Sequence, residues 1–413
     1  MKSGTIVILL IIFTLLSYIV PNYGEVRKVS VGNLEVYIPS NIDSPDFVFL
    51  VTHFPKGFIV SNTRISRPLY VVMAMIPYTV LKHIIPVPSS ISNKILSALS
   101  NSERQQLWIN TTGKEVAAAW ISLLLINFLL TFFTVYLFSK GLERAGLKEF
   151  QFFGVLLILL SFKFDTQILV PHTELFDLLL PSYVFYLISP LLLSKRPEIS
   201  DNISENRYTL HLVIIGMLFL GKAVLFLYIV CLWGWVRLFG VKNIWKPAVL
   251  LPFFNIAYIL ILKLTGIPYY QHEVEAYRQG VWLFDYIAQK GFFPAVFAGI
   301  STFFKVIYST VSVFAPEVII GTAFLVAGAP PKLNGSFFSL QRKEFLIVYS
   351  ISFFLFWTVI GYYPARVLYT FYPVAIFILG VLFMNIEIKR RQKLVFILYS
   401  VYLFISFGTT ITV

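Results

Sequence analysis

The sequence predicts an all-α, polytopic integral membrane protein with about ten or eleven transmembrane helices in a single domain, 1–413. Of the 413 residues, 58% are apolar and only 13% are charged, whereas charged residues make up about a quarter of a soluble domain. Several apolar runs approach or exceed the ~20 residues that a helix needs to cross the hydrocarbon core. The strand alternation of an outer-membrane barrel is absent.

The apolar runs predict helices in chain order, and the first is expected to be retained because no small-x-small cleavage site follows it. The expected helices lie near 5–20, 115–138, 150–164, 174–193, 208–221, 223–239, 246–263, 313–327, 344–360, 367–386 and 394–411. Cys231 is the only cysteine, so the chain excludes an internal disulfide and a cysteine metal cage.

The net charge of +13 is concentrated in every second short loop, which predicts the orientation of the chain. The basic clusters are Lys140, Arg144, Lys148; Lys195, Arg196, Arg207; Arg237, Lys242, Lys246; Lys332, Arg342, Lys343; and Lys389, Arg390, Arg391, Lys393. Because cytoplasmic loops carry the excess of Lys and Arg, we expect a protein of the cell membrane with a cytoplasmic N-terminus. The same distribution argues against a nucleic-acid partner.

Two segments, 21–114 and 264–312, are too long and polar for simple loops and are both expected outside. The apolar run 69–87 in the first segment is interrupted by Pro77, Lys82 and Pro86, and crossing there would move the basic loop 139–149 outside. We therefore expect a helix in the interface plane. The second segment predicts another interfacial helix.

Acidic residues in the external segments are candidates for chemistry. Asp43 and Asp46 suit a general base or a metal ligand, although Asp43 before Ser44-Pro45 also suits a helix N-cap. His172 and Glu174 fall in a short external turn. They suit a second acidic locus or acceptor site, or a Mg²⁺ or Mn²⁺ site with Asp43; a glutamate stabilised at a helix N-terminus is the alternative. His272 and Glu273 give a weaker signal of the same kind, which an ordinary solvated helix face explains equally well.

Four cations beside apolar runs, namely Arg64, Arg67, Lys222 and Arg366, suit the phosphate of a lipid headgroup. Ordinary snorkelling of long basic side chains to the membrane surface is the alternative. The sequence lacks a Walker A motif, a Gly-rich dinucleotide turn, HExxH and GxSxG. Their absence argues against chemistry powered by cytoplasmic ATP and against a serine-hydrolase mechanism.

The order of these residues resembles the GT-C superfamily of polyprenyl-phosphate-sugar-dependent glycosyltransferases, in its bacterial and archaeal membrane branch. The likeness rests on a first helix, Asp43, then Arg64-x-x-Arg67-Pro68-Leu69-Tyr70, the turn at His172-Thr173-Glu174, Lys222 at a hairpin, and Arg366. The chain departs from the pattern at Phe47, Val71 and Ala223, and it has no Asp-x-Asp pair.

The resemblance implies an inverting sugar transfer on the external face, from a polyprenyl-phosphate donor to an acceptor glycan, lipid or protein. It implies that Asp43 is the catalytic carboxylate, with Asp46 as the alternative. It also implies that Arg67, Lys222 and Arg366 face the lipid phosphate. A lipid or small-molecule transporter or flippase is the competing function. Such a protein would place ionisable residues in mid-membrane and show internal repeats. A non-catalytic assembly subunit is a third reading.

Overall fold

The computed structural model describes residues 3–19, 25–31, 34–40, 44–60, 66–85, 111–160, 168–192, 204–267, 281–327, 340–384 and 386. The elements of the first half are α1 (Ser3–Ile19), β1 (Glu25–Val31), β2 (Leu34–Ser40), α2 (Ser44–Thr52), α3 (Gly57–Val60), α4 (Pro68–Ile84), α5 (Gly113–Arg144), α6 (Gln151–Leu159) and α7 (Phe176–Ile188). Those of the second half are α8 (Glu205–Leu218), α9 (Phe226–Phe239), α10 (Trp245–Leu264), α11 (Val281–Lys290), α12 (Phe292–Val313), α13 (Ala315–Ala327), α14 (Leu340–Ile360), α15 (Ala365–Leu368) and α16 (Tyr372–Phe383).

Six helical segments are long and apolar enough to cross a membrane, which supports the class of helical membrane protein. They are Gly113–Arg144, Thr173–Leu192, Trp245–Leu264, Phe292–Val313, Leu340–Ile360 and Ala365–Phe383. Four shorter apolar helices, Gly4–Thr14, Pro68–Ile84, Phe226–Phe239 and Ala315–Val326, accompany them. The count of ten or eleven spans stays a prediction, and its last helix, 394–411, lies outside the described residues.

Apolar side chains that face away from the bundle fit a lipid surround. On α12, one face exposes Phe293, Phe297, Ile300, Phe304 and Tyr308, which recur at the three- and four-residue spacing of one helix side. Soluble monomers rarely expose an apolar patch of this extent. A stripe of this kind suits contact with lipid.

One end of the bundle gathers the basic residues that the sequence assigns to a single side of the membrane, and we call it the basic end. Arg342 Nε donates to the carbonyl of Leu192 at 2.6 Å, and Arg144 Nη1 donates to that of Tyr186 at 3.3 Å. Ion pairs join Arg237 to Glu344 and Lys246 to Glu205. The contacts of Arg144, Arg237 and Arg342 tie the ends of α5, α7 and α9 to the start of α14, and the Lys246–Glu205 pair joins the starts of α8 and α10.

The opposite end, which we call the site end, contains the turn around Glu174, the loop at Lys222 and the loop before Arg366. The helices described in segment 264–312 are α11 and α12, which follow α10 and precede α13. This helix pair begins and ends near the same end of the bundle. Trp282 Nε1 donates to the carbonyl of Val359 at 2.9 Å, and the last turn of α12 lines a cavity with Gly361. Although α12 alone could span a membrane, both ends of the pair thus lie near the site end.

The helix predicted for 69–87 forms as α4, and it runs antiparallel along the first half of α5. The Tyr70 hydroxyl lies 2.7 Å from Oδ1 of Asn127, whereas Lys114 Nζ contacts the carbonyl of His83 at 3.4 Å. A side-by-side orientation follows from these contacts at the two ends of α4. This orientation disagrees with the predicted helix in the interface plane, because such a helix would cross the candidate span α5 and would not run along it.

The hairpin of β1 and β2 is a small addition, which was not predicted, to a fold whose described residues are otherwise helical. The strands pair antiparallel, from Glu25 opposite Ser40 to Val31 opposite Leu34. The sequence carries the signal, because Gly32-Asn33 separates two segments rich in β-branched residues, a pattern typical of two-residue hairpins. The hairpin was not predicted because apolar helical segments dominate the rest of the sequence.

Candidate functional site

The candidate site is built on the buried turn between α6 and α7. Asn127 of α5 donates from Nδ2 to the carbonyl of Val170 at 2.7 Å, and its Oδ1 accepts from the Tyr70 hydroxyl. Thr173–Leu175 then form one 3₁₀ turn that leads into α7. Two other helices therefore hold the position from which His172 and Glu174 project.

His172 acts as a cap for this 3₁₀ turn. Its Nδ1 accepts the backbone N–H of Glu174 at 3.1 Å, so Nδ1 carries no hydrogen and the ring donates from Nε2. The 3.7 Å separation between His172 Nδ1 and Glu174 Oε1 is therefore a proximity and not an ion pair. The ring also packs edge-on against Phe47 of α2, with centroids 5.8 Å apart.

Glu174 is buried, and a cation from the far end of the chain reaches it. Arg366 Nε lies 3.2 Å from Glu174 Oε1, and Nη2 of the same guanidinium donates to the Tyr362 hydroxyl at 2.5 Å. Arg366 itself is partly open to the surface, whereas the carboxylate is not. The guanidinium therefore bridges a buried acid and the partly buried loop 361–365.

Asp177, one turn further along α7, forms an ion pair with Lys222 in the loop between α8 and α9. The exposed fraction of the side chain is 0% for Asp177 and 13% for Lys222. Burial lowers the pKa of the Lys222 ammonium, Asp177 and Glu174 act in the opposite direction, and the charge of Arg67 lowers it further. The pair is thus a buried charge contact inside the field of the neighbouring site residues.

Gly221 makes this pairing geometrically possible. A Cβ added there would lie 2.5 Å from Cζ and 2.6 Å from Cδ1 of the Phe176 ring, closer than real side chains approach. Phe176 is the first residue of α7, one before Asp177. Only glycine lets the backbone beside Lys222 pass so close to the start of α7.

Arg67 and Ser44 complete the arrangement from the first third of the chain. Arg67 Nη1 donates to Thr173 Oγ1 at 2.7 Å, and Ser44 Oγ donates to the carbonyl of Pro171 at 3.2 Å. Arg67, Lys222 and Arg366 therefore all contact side chains of the stretch from Thr173 to Asp177. Three cations from distant parts of the sequence converge on one turn, and two of them meet a carboxylate there.

The other sequence candidates have different positions. Asp46 lies in the first turn of α2 and is buried. Helix α2 begins at Ser44 with Pro45 second, in agreement with the predicted helix start. Asp43, Arg64, His272 and Glu273 lie outside the described residues, so their predicted roles stay predictions.

A surface cavity of about 540 Å³ adjoins the cluster. Residues from the last turns of α12 and from the loop 361–365 line it: Tyr308, Ser309, Ser312, Val313, Gly361, Tyr362, Tyr363, Pro364 and Ala365. Tyr362 is shared, since its hydroxyl accepts from Arg366. A volume of this size is within the range of small-molecule sites.

Within the described ranges, no group of three or more His, Cys, Asp or Glu side chains could hold a metal ion. His172 and Glu174 alone supply two of the predicted ligands, and Glu174 is engaged by Arg366. The third predicted ligand, Asp43, is not among the residues described.

Sequence reasoning did not assign Asp177 and Tyr362 to the site. The partner of Lys222 was missed because 45 positions separate Asp177 from Lys222. A usable signal existed, since Asp177 and Lys222 are opposite charges beside apolar sequence on the same predicted side. Opposite charges in such positions are expected to pair.

The fold and the site together define a helical membrane protein with a charged, partly buried cluster at one end of its bundle. No protein-family model, no curated protein and no solved structure matches this chain.

Proposed function

We propose that the protein is a membrane glycosyltransferase that transfers a sugar from a polyprenyl-phosphate donor to an acceptor on the external face, with inversion. The observation that carries the proposal is the convergence of Arg67, Lys222 and Arg366 on the turn Thr173–Asp177. Cations in such a cluster at a helix end suit a phosphate whose lipid tail stays in the bilayer.

The charge balance of the cluster suits this donor. At the turn itself, three cations and two carboxylates, Glu174 and Asp177, leave one positive charge in excess before the proposed base carboxylate is counted. A sugar-phospholipid donor of this kind is a phosphodiester with one negative charge, and its phosphate gains a second when the sugar leaves. Preorganised cations that meet developing charge lower the barrier of such a step.

In the proposed reaction an acceptor hydroxyl attacks C1 of the donor sugar, and the C1–O bond to the lipid phosphate breaks with its electron pair going to the phosphate. A carboxylate removes the hydroxyl proton. We assign this role to Asp43, with Asp46 as the alternative. Asp43 precedes Ser44 in sequence, and Ser44 contacts Pro171 beside the cluster.

The cavity of about 540 Å³ beside Arg366 provides room for the sugar or the acceptor next to the phosphate. Its tyrosines and serines combine flat apolar surfaces with hydroxyl groups, a lining that suits a carbohydrate. A divalent cation is not required by this scheme, since the three cations supply positive charge. The proposed site lies on the external face, opposite the basic end.

A thermal-shift experiment with farnesyl phosphate tests phosphate binding, and farnesol, which has the tail without the phosphate, is the control ligand. We expect farnesyl phosphate, but not farnesol, to raise the melting temperature of the purified protein. Arg366→Gln should abolish the rise, whereas Arg237→Gln, a matched change at the basic end, should keep it. An equal response of both variants would contradict the site.

Transfer itself is tested with a set of polyprenyl-phosphate sugars and acceptor glycans, with the anomeric configuration of the product determined by NMR. We expect a product of inverted configuration that is lost in Arg366→Gln and retained in Arg237→Gln. Retention of configuration would refute the direct displacement. Phosphate binding without any transfer, accompanied by lipid translocation in liposomes, would favour the flippase instead.

A further inference from the structure

A buried carboxyl outside the candidate site occupies the junction of α6, α13 and α16. Glu317, in the first turn of α13, is 5% exposed. Its Oε1 lies 2.7 Å from the Tyr372 hydroxyl oxygen, and that same oxygen lies 2.8 Å from the carbonyl oxygen of Leu157. The phenol oxygen of Tyr372 thus lies within hydrogen-bonding distance of two other oxygen atoms.

Hydrogen counting decides the protonation state of this group. A tyrosine hydroxyl has one hydrogen, and a backbone carbonyl has none to donate. If the carboxyl were ionised, the single hydrogen would have to serve both contacts, and one pair of oxygens would meet lone pair to lone pair. A protonated carboxyl resolves this, because it donates to the Tyr372 oxygen while Tyr372 donates to the Leu157 carbonyl.

The electrostatic surroundings agree. In the described part of the chain, no Lys, Arg or His forms an ion pair with Glu317, and the titratable groups that face it are the phenols of Tyr372 and Tyr369. Burial without a compensating cation disfavours the charged form. The position in the first turn of α13 and a backbone hydrogen bond to the carboxyl both favour negative charge. Neither supplies a hydrogen for the second oxygen contact of Tyr372.

We propose that Glu317 is a proton-binding site in the apolar part of the bundle, where the bound proton completes a hydrogen-bonded chain from Glu317 through Tyr372 to Leu157. The chain links three helices that are distant in sequence. The ligand of this site is a proton, and the site does not depend on the proposed sugar transfer. Removal of the proton would leave a carboxylate against a phenol oxygen already directed at a carbonyl.

Infrared difference spectroscopy on the purified, reconstituted protein at neutral pH tests the proposal. The spectrum of the wild type minus that of Glu317→Gln should contain the C=O stretching band of a protonated carboxylic acid, and this band should shift in Tyr372→Phe. Carboxylate stretching bands in the same difference spectrum would overturn the proposal. Asp285→Asn, which changes an acid on α11, serves as the matched control and should not remove the acid band.

A stability comparison gives a second decision that does not depend on spectral assignment. Glutamine replaces the acidic O–H with an amide N–H donor, so Glu317→Gln should unfold at the same denaturant concentration as the wild type. Glu317→Leu, which removes the donor but keeps an apolar side chain, should unfold earlier. If Gln is as damaging as Leu, a hydrogen donor at this position does not stabilise the protein and the proposal is wrong.

Discussion

Replacement of Lys222 by methionine probes the buried ion pair with Asp177. The change keeps the length of the side chain and removes its charge, so it leaves the fully buried Asp177 carboxylate without its cation. Removal of one partner of a buried pair costs about 3–5 kcal/mol. We expect Lys222→Met to lower the free energy of unfolding by about this amount.

Lys246→Met is the matched control, because Lys246 pairs with Glu205 and the side chains of these residues are 34% and 35% exposed. Exposed pairs contribute about 0–1 kcal/mol. The two variants should therefore differ by roughly 2–5 kcal/mol. Chemical unfolding in mixed micelles, followed by tryptophan fluorescence, measures both.

Two further measurements separate the charge from packing. The double variant Asp177→Leu/Lys222→Met should recover most of the loss, because an apolar pair of similar volume often replaces a buried ion pair without cost. The deficit of Lys222→Met should shrink as the pH falls, since a protonated Asp177 is neutral. A Lys222→Met variant as stable as Lys246→Met would refute the buried pair.

The remaining predictions concern the base, the topology and the close approach at Gly221. Asp43→Asn should abolish sugar transfer while the protein stays folded, because asparagine caps a helix about as well as aspartate. A wild-type rate of transfer in this variant would leave Asp43 only the role of a helix cap. Asp46→Asn would then be assayed next. The topology is tested in a Cys231→Ala background with an impermeant maleimide. A cysteine placed at Ser100 should react in intact cells, whereas one placed at the exposed Val241, near the basic end, should react only after permeabilisation. The reverse labelling pattern would show that the orientation is inverted. Gly221→Ala should lower the free energy of unfolding by about 1–3 kcal/mol, because the added Cβ overpacks against Phe176. Gly299→Ala, with no atom within 4 Å of the added Cβ, should be neutral or slightly stabilising. Equal effects of the two variants in a denaturant titration would show that the contact with Phe176 relaxes at no cost.

The helices could be predicted because an apolar segment must satisfy its own backbone hydrogen bonds in lipid. The segment predicted at 174–193 forms Thr173–Leu192, and that predicted at 344–360 forms Leu340–Ile360. Loop charges likewise indicated which helix ends share a side, and Arg144, Arg237 and Arg342 do meet at one end.

The pairings inside the site could not be read from the sequence. Which acid meets Lys222 or Arg366 depends on the packing of α7 against α8 and on the direction of the loop 361–365, and neither follows from local periodicity. The three-oxygen contact of Tyr372 is equally a product of tertiary packing. Sequence indicated the residue types at the site end, whereas the structure assigns their partners.

The wide separation of the site residues along the chain has a consequence for biosynthesis. Arg67, the turn at Thr173–Asp177, Lys222 and Arg366 leave the ribosome in that order, so the cluster remains incomplete until α15 has been inserted. Before then, Glu174 lacks the guanidinium that contacts it in the finished protein. Early helices should therefore remain loosely associated during insertion, and a chain truncated before Arg366 should be degraded faster than one truncated after α16. The native contacts of the turn at Thr173–Asp177 are thus complete only when the last helices are in place.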